Sequence, residues 1–371
     1  MARRLFILIA VVSLFIIPSA FAQPQPPASS PLSYVKGEVL DVAPIQETTQ
    51  KAFLTGQGDV VTLRLTSGPE EGKIVDTFNY FSGRSMYEFK VNRGDKVIVA
   101  VANDLGRTTY HVSDFDRFDY AWVLFALFAL SLIVFGGFIG FKSVLVIAFS
   151  VFLILNVFLN RVLAADVSLT VLTLVTSIII AGLTQTVISG WNRKSLAAIL
   201  GTVGGVVIAG VLSIASIHLM HLTGLDSEEA MMLKATILKS VDFRGLLFSG
   251  MVLGSLGAVL DVTISISSAI YEVKQARPDT GMKQLFAAGM NVGRDIMGTN
   301  SNTLILAYIG SSLPLLLLIT AQPQASMLPI LNQNMIVTEI ARALSGSIGV
   351  VCAIPLTAMI SAWMMRTQER E

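Results

Sequence analysis

The sequence contains little charge and a single cysteine. Only 14% of its 371 residues are Asp, Glu, Lys or Arg, whereas 53% are hydrophobic and the mean hydropathy is +0.69. An ordinary soluble domain has about 25% charged residues. The lone Cys352 excludes an intrachain disulfide framework and a zinc site built from cysteines. The 26 basic and 25 acidic residues lack the basic excess by which nucleic-acid-binding proteins neutralise phosphates. The composition predicts a membrane protein and argues against nucleic acid as a partner.

Motifs of common pumps and metalloenzymes are also missing. The sequence has no GxxxxGK[ST] loop for nucleotide phosphates and no HExxH zinc motif. His218, His221, Glu228 and Glu229 have side chains that ligate metals, but histidines at the end of a helix are commoner than metal ligands. Asp226 followed by Glu229 three residues later is typical of a helix cap. We therefore predict no metal site, no cofactor and no catalytic residue.

The charge that is present lies mainly before residue 120. Between residues 23 and 119, 23 of 97 residues are charged, whereas only 26 of the 252 residues from 120 to 371 are. A water-facing domain followed by a membrane domain explains this contrast. The boundary falls near the charged cluster Asp114, Asp116, Arg117 and Asp119.

The N-terminal 22 residues have the features of an export signal. Two arginines precede an apolar run over residues 5–17, and Ala20 and Ala22 form a small-residue cleavage site. Residues 1–22 are therefore a signal peptide or, with the same orientation, an uncleaved membrane anchor. Residues 23–33 contain four prolines and predict an extended linker.

Residues 34–113 have the pattern of a small β domain. Short β-prone runs cover residues 34–42, 60–66, 73–78, 96–102 and 107–112, and glycine and acidic turn residues separate them. Five strands in about 80 residues are typical of a small barrel, and we predict an OB-like domain outside the cytoplasm. Such a domain is a candidate for binding a partner protein, although a fold alone does not establish a ligand.

Seven apolar windows are long enough to span a membrane. They cover residues 121–139, 143–163, 167–189, 196–217, 243–270, 302–320 and 340–364 within a helical domain over residues 120–365. With the β domain outside, nine Lys and Arg residues fall on the inner side and five on the outer side. This bias predicts a multi-pass cell-membrane protein with residues 23–119 extracytoplasmic and the tail over residues 366–371 cytoplasmic.

Two of these windows contain small residues at four-residue spacing. Ala197, Gly201, Gly205 and Ala209 lie in the fourth window, and the fifth has a similar stripe. Small residues let membrane helices approach closely, so we predict that both stripes are packing surfaces. Residues 199–206 also resemble residues 252–259, which hints at the inverted repeat of some transporters.

A carboxylate, Asp261, lies about midway in the fifth window. Ser265, Ser268 and Glu272 follow at helical spacing on the same face. An ionisable group at membrane depth costs about 3 kcal/mol and normally faces a partner or water. Asp261 is thus a candidate transport or ion-binding residue; the alternative is a neutral or paired carboxyl that joins helices.

The segment over residues 289–303 is too polar for a lipid-facing helix. Its candidate site residues are Asn291, Arg294, Asp295, Thr299, Asn300, Asn302 and Thr303. The segment is either a broken or re-entrant element lining a cavity, or a cytoplasmic interfacial loop. Glu339 and Arg342, three residues apart, are secondary candidates that can pair with each other or with this cluster.

These motifs resemble the YibE/F-like family of bacterial multi-pass membrane proteins. The resemblance rests on residues 190–202, 257–267 and 293–299 with 302–310, and residues 94–97 fit the family's extracytoplasmic region. Asn300 and Ser301 depart from the family pattern. The resemblance implies a membrane domain with an outer domain, and it implies little about activity because the family's biochemistry is not established.

Three functions are compatible with the sequence. A permease or transporter of an unknown small substrate or ion, coupled to protons or another ion through Asp261, accounts for the polar residues at membrane depth. A non-catalytic envelope assembly factor is the alternative, and an intramembrane enzyme in which Asp261 and Asp295 share a proton is less favoured. Membrane lipids are expected partners, and the sequence leaves open a homo-oligomer and a protein partner at the β domain.

Overall fold

The structure is a computed structural model of the chain, and it describes residues 33–44, 57–81, 89–104, 107–165, 167–236, 241–321 and 327–366. The predicted signal segment, all but the last residue of the linker, and all but the first residue of the cytoplasmic tail lie outside these residues. The chain divides into two compact units, with the division between residues 130 and 131. Each unit is described by itself.

The first unit contains a five-stranded antiparallel sheet. Its strands are β1 (Ser33–Pro44), β2 (Gln57–Leu65), β3 (Ile74–Phe81), β4 (Lys96–Asp104) and β5 (Arg107–Phe115), in the order β3-β2-β1-β4-β5. β1 is central, and its register shifts between Val39 and Asp41, which bends the strand. The hydroxyl of Thr77 on β3 donates to the backbone carbonyl of Tyr110 on β5, so the two edge strands approach each other. The sheet is a half-barrel, as the alternating sequence pattern predicts.

The inner face of the sheet is a small aliphatic core. Val61, Leu63, Val97 and Val99 are fully buried, because alternate residues of a strand point to the same face. The outer face and the turns carry the charge that distinguishes this region in the sequence. The coarse prediction of a five-stranded, barrel-like β domain is therefore confirmed.

A charged cluster joins this sheet to the first helix. Lys36 of β1 lies 2.8 Å from the carboxylate of Asp116 and 2.9 Å from that of Asp119, and Lys96 lies 3.5 Å from Asp119. Hydrogen bonds to the two carboxylates raise the pKa of Lys36. The charged cluster that marks the domain boundary in the sequence thus attaches the sheet to the start of the first helix.

Helices form most of the rest of the described chain. They are α1 (Phe118–Phe152), which continues through a π-helical turn (Leu153–Phe158) into α2 (Leu159–Ala164), α3 (Leu169–Ser189), α4 (Arg193–Leu219), α5 (Glu228–Thr236), α6 (Phe243–Ala276), α7 (Met282–Ser311), α8 (Leu313–Thr320), α9 (Met327–Leu331) and α10 (Asn334–Arg366). Within the described chain, five helical runs are long and apolar enough to cross a membrane: Phe118–Ala164, α3, α4, α6 and α10.

The first of these runs contains two predicted spans. Gly137 has φ 56° and ψ −132°, a backbone conformation outside the helical region that glycine adopts at little cost. A Cβ added at Gly140 would collide with the backbone carbonyl of Leu132, eight residues earlier, which a straight helix would hold about 12 Å away. The chain therefore turns sharply at Gly137, close to the predicted boundary between the first and second spans.

The predicted sixth span is wrong in its bounds. Residues 302–320 do not form one helix, because α7 ends at Ser311 and α8 begins at Leu313. Pro314 lacks an amide hydrogen and cannot donate to the carbonyl of Gly310, so the helical hydrogen bonds of α7 do not continue into α8. α7 instead begins twenty residues before the predicted span. The prediction missed the first half of this helix because its polar residues lower the hydropathy of that segment.

Small residues bring the central helices of the second unit together. A Cβ on Gly205 of α4 would lie 2.7 Å from the Cβ of Ala353 and 2.9 Å from Val259, and one on Gly349 of α10 would lie 2.7 Å from the Cβ of Ala209. The predicted packing stripe of α4 is therefore confirmed, and α10 is its main partner. α6 packs on both helices and runs antiparallel to α4, since Thr202 meets Thr263 and Ser267 donates to the Lys194 carbonyl.

Candidate functional site

The four predicted site residues of α6 lie on its outer side. Asp261, Ser265 and Glu272 are exposed and Ser268 is half-buried. Their spacing of four, three and four residues places them on one helix face, which we call the polar strip. Asp261 lies near the middle of this 34-residue helix. The hydroxyl of Ser265 donates to the backbone carbonyl of Asp261 over 2.7 Å, so it leaves the carboxylate free for another group.

The opposite side of α6 carries hydroxyl groups that the sequence reasoning missed. The hydroxyls of Thr263 and Thr202 lie 2.8 Å apart between α6 and α4, and those of Ser249 and Thr173 lie 2.6 Å apart between α6 and α3. These residues are fully buried, and each also donates to, or lies within hydrogen-bond distance of, a backbone carbonyl of its own helix. They join helices and offer no surface to a substrate.

The segment over residues 289–303 is part of one uninterrupted helix. α7 runs from Met282 to Ser311, so a broken element and an interfacial loop are both wrong for this segment. Gly289 and Gly293 are buried against α6 and α10, where a Cβ on Gly293 would collide with Ile354. Glycine in this segment therefore serves close packing, which keeps the helix continuous.

The predicted site residues of α7 point away from this packing side. Six are exposed and Asn300 is half-buried; the exposed ones are Asn291, Arg294, Asp295, Thr299, Asn302 and Thr303. We call this surface the polar face. Among the described residues, its hydrogen bonds stay within α7: Arg294 donates to Asn291 over 3.4 Å, and Thr303 donates to the Thr299 carbonyl over 2.9 Å.

The polar strip and the polar face lie at the same depth. A Cβ on Gly254 would lie 2.6 Å from the hydroxyl of Tyr308, and one on Gly289 would lie 2.5 Å from Ile270, so α6 and α7 are antiparallel neighbours. This alignment sets Asp261 level with Thr299. By the same count Ser265 is level with Asp295.

The length of α7 is typical of a membrane-spanning helix, but its composition is too polar for one. Its 30 residues extend about 45 Å, enough for a hydrocarbon layer of about 30 Å. It packs along α6 and α10, both apolar enough to cross a membrane, yet it is too polar to be counted with them. If these neighbours span a membrane, a helix that lies beside them and carries Arg294 and Asp295 on an exposed side needs water or protein against that side.

Two glycines leave the surface beside these residues open. Within the described residues, a Cβ on Gly257 or on Gly298 would have no heavy atom within 4 Å. Gly257 lies one turn from Asp261 on α6, and Gly298 adjoins Thr299 on α7. The surface near Asp261 is therefore unfilled and can admit another chain or a polar substrate.

A second polar cluster surrounds Arg342 near the start of α10. Its guanidinium lies 3.5 Å from the carboxylate of Glu339 and 3.4 Å from that of Asp226, and all three side chains are largely buried. The predicted pairing of Glu339 with Arg342 is thus observed. Asp226 is not the helix cap, because the hydroxyl of Ser227 accepts from the amide of Ala230 at the start of α5. Sequence spacing gave no sign that Asp226 meets Arg342, 116 residues later.

This cluster also contains unpaired donors. In the described part of the chain, the hydroxyl of Tyr308 and the Nε of Arg342 are buried without a hydrogen-bond partner. Tyr308 reaches Gly254, and Arg342 approaches Gly250 one turn earlier on α6. Both donors therefore lie against the first half of α6, on the N-terminal side of the polar strip.

The charges of the polar surfaces favour a cation over an anion. Asp261, Glu272 and Asp295 carry three negative charges when ionised, and Arg294 carries one positive charge. The described residues hold no group of three or more His, Cys, Asp or Glu side chains with the arrangement of a metal site.

Comparison with known proteins identifies the family of the chain. A family model described as YibE/F-like protein matches residues 124–367, which include most of α1 and all the helices from α2 to α10. No curated protein and no solved structure matches the chain.

Proposed function

The chain belongs to the YibE/F-like family, and from this premise we propose that it is a multi-pass membrane permease of a small substrate, coupled to a proton or another cation through Asp261. The observation that carries the proposal is α7, a helix of membrane-spanning length with a polar exposed face. A protein that used its helices only as an anchor would gain nothing from this face, which costs free energy against lipid.

The arrangement of α6 supports a role for Asp261 in coupling. The carboxylate lies in the middle of an apolar helix, and its neighbours on the polar strip continue toward the inner end of that helix. A carboxylate at this depth can bind a proton or cation on one side of the membrane and release it on the other. The row of Ser265, Ser268 and Glu272 supplies oxygen atoms along this route.

We propose a topology of seven crossings. The two arms of α1 on either side of Gly137, α3, α4, α6, α7 and α10 account for the crossings, with residues 23–119 outside and the C-terminus in the cytoplasm of the cell. The excess of Lys and Arg on the inner side supports this orientation. Counting α7 as a crossing rests on its packing beside α6 and α10 rather than on its hydropathy.

Ion flux through purified protein tests the proposal. The wild-type chain is reconstituted in liposomes with a trapped pH dye, and a potassium gradient with valinomycin sets the membrane potential. We expect Asp261→Asn to reduce proton flux by about tenfold or more, because the neutral amide cannot exchange a proton. Asp279→Asn, the same change at an exposed residue just beyond α6, is the control and should keep wild-type flux.

The outcomes separate the candidate functions. Proton flux that survives in Asp261→Asn contradicts the coupling role of Asp261. If the wild-type protein carries no flux of protons, and none of Na⁺ in liposomes without valinomycin, the permease is wrong and an envelope assembly factor acting through the β domain becomes the better candidate. Equal thermal stability of the two variants shows that any lost flux is not a loss of folding.

A further inference from the structure

We propose that a second copy of this chain covers the polar strip and the polar face, so that the permeation pathway lies between two copies. This inference rests on the proposed function, because it assigns the missing wall of the same pathway. The strip and the face are exposed on neighbouring helices at one depth. Within the described residues, a single copy therefore supplies only one side of a polar route.

Lipid is a poor occupant of this surface. Asn302, Thr299 and Asp295 carry amide, hydroxyl and carboxylate groups, and hydrocarbon offers no hydrogen-bond partner to any of them. The hydrogen bonds of Thr299 and Thr303 return to the backbone of α7 and leave acceptor positions unused. Protein or water must therefore lie against the surface.

The charges of the surface fit a second copy. All copies share one orientation in the membrane, because the same Lys and Arg bias orients each of them. A twofold axis along the membrane normal then brings residues of equal depth together. Arg294 and Asp295 are consecutive and have nearly the same depth, so Arg294 of one copy can pair with Asp295 of the second copy, and the reverse pair forms by symmetry.

The open glycines permit the close approach that such an interface requires. A Cβ on Gly257 or Gly298 would meet no heavy atom within 4 Å in the described residues. Gly205 and Gly293, in contrast, are already packed against neighbouring helices. Small residues let two helix backbones come near enough for side chains such as Asp261 to hydrogen-bond across the contact. On each of the two helices, the open glycine thus lies on the face that carries the charged residues.

Cross-linking in membranes tests the second copy. Ser265→Cys and Thr299→Cys are each made in a Cys352→Ala background, since Cys352 is the only native cysteine. A short bifunctional maleimide is added to membranes that contain the full-length protein. Leu200→Cys is the control, because Leu200 is exposed on α4 and lies within about one turn of the depth of Asp261, as the contact of Thr202 with Thr263 shows.

We expect Ser265→Cys and Thr299→Cys to give a product of twice the chain mass at about tenfold the yield of Leu200→Cys, since a fixed interface raises the effective concentration of paired thiols. Arg294→Asp should lower this yield by about tenfold by placing like charges together. Adding Asp295→Arg to that variant should restore the yield, because the swapped pair is again complementary across the twofold axis.

Each outcome bears on one of the two proposals. If neither cysteine forms the double-mass product while Asp261→Asn still loses flux, the second copy is overturned and the permease stands. A product that contains a different protein also overturns the second copy. Cross-linking at both positions by a protein that carries no ion supports the interface and overturns the permease.

Discussion

Arg342 shows how a single residue joins distant parts of the second unit. Its guanidinium lies between Asp226, in the connection before α5, and Glu339 on α10, and about a quarter of its side chain is exposed. Removal of one partner of a largely buried pair leaves the other charge without compensation, which costs more than the pair contributes. The two carboxylates make Arg342 the residue on which the cluster depends.

We predict that Arg342→Gln lowers the free energy of unfolding by about 1–3 kcal/mol, less than for a fully buried pair because water reaches part of the side chain. Thermal unfolding in detergent measures the loss, and Arg366→Gln, at the exposed end of α10, should have little effect. In an Asp226→Asn background the cost of Arg342→Gln should be smaller, since one of the stranded carboxylates is gone. An equal loss of stability from Arg342→Gln in the wild-type and Asp226→Asn backgrounds would contradict the pairing of Arg342 with Asp226.

The contact between α4 and α10 shows what decides packing between elements. Gly201, Gly205 and Ala209 of α4 meet Gly349, Ala353 and Thr357 of α10, so the two backbones are close along several turns. The hydroxyl of Ser213 lies 3.4 Å from that of Ser345 at the end of this contact. In hydrocarbon, such close approach and hydrogen bonding replace the hydrophobic effect as the source of helix association.

We predict that Gly205→Ala destabilises the protein by about 1–3 kcal/mol, because the added methyl group would overlap Ala353 and Val259 and force the helices apart. Gly182→Ala on α3 is the matched control. A Cβ on Gly182 meets no heavy atom within 4 Å in the described chain, and alanine favours the helix by about 1 kcal/mol. Thermal unfolding should therefore separate the two variants, and equal melting temperatures would show that the α4–α10 contact tolerates expansion.

At the scale of the whole molecule, the β domain is expected to fold by itself. The structure extends the predicted unit beyond residue 113, because the amide of Asp116 donates to the Lys96 carbonyl over 2.8 Å and its carboxylate pairs with Lys36. We predict that a fragment of residues 32–117 unfolds cooperatively and melts at a higher temperature than one of residues 32–113. Circular dichroism on both fragments measures the difference, and a longer fragment that remains unfolded would contradict the prediction.

The melting temperature of the same fragment should change at acidic pH and at strongly basic pH. Hydrogen bonds from Tyr110 and Lys73 lower the pKa of Glu70, so its contribution to stability is present above about pH 4.3 and is lost as the pH falls through the lowered pKa. The pKa of Lys36 is raised, so its contribution is present below about pH 10.4 and is lost only above that pH. The melting temperature should be nearly constant between these limits. Glu70→Gln should make the melting temperature less sensitive to acidic pH. An equal loss of melting temperature at acidic pH in the wild type and the variant would contradict the role of Glu70.

The orientation of the whole chain is open to a labelling experiment. Cysteines placed one at a time in the Cys352→Ala background should react with an impermeant maleimide in intact cells at Asp76 of the β domain and should not react at Thr367 near the C-terminus. The reason is the inner excess of Lys and Arg. Permeabilised cells provide the control for reactivity, and the reverse labelling pattern would contradict the seven-crossing topology.

Sequence alone determined the elements whose signal is local. The strands of the β domain, the apolar helices and the small-residue stripe of α4 each follow from a periodicity or composition within one segment, and the structure has them within a few residues of the predicted bounds. The chemistry of Asp261 was also visible in the sequence, because a carboxylate in the middle of an apolar run is costly wherever it points.

Only the tertiary structure decided which sides of the helices are covered. The direction of Asp261 depends on how α6 packs against α4, α7 and α10, and those contacts join residues far apart in the chain. The continuity of α7 was hidden because its glycines and polar side chains suggest a break, whereas packing of Gly289 and Gly293 on neighbouring helices keeps it regular. The pairing of Arg342 with Asp226 likewise joins two segments that no local pattern connects. The partner of a side chain depends on how whole helices are arranged. That arrangement results from many close contacts between distant segments, so no single segment of the sequence predicts it.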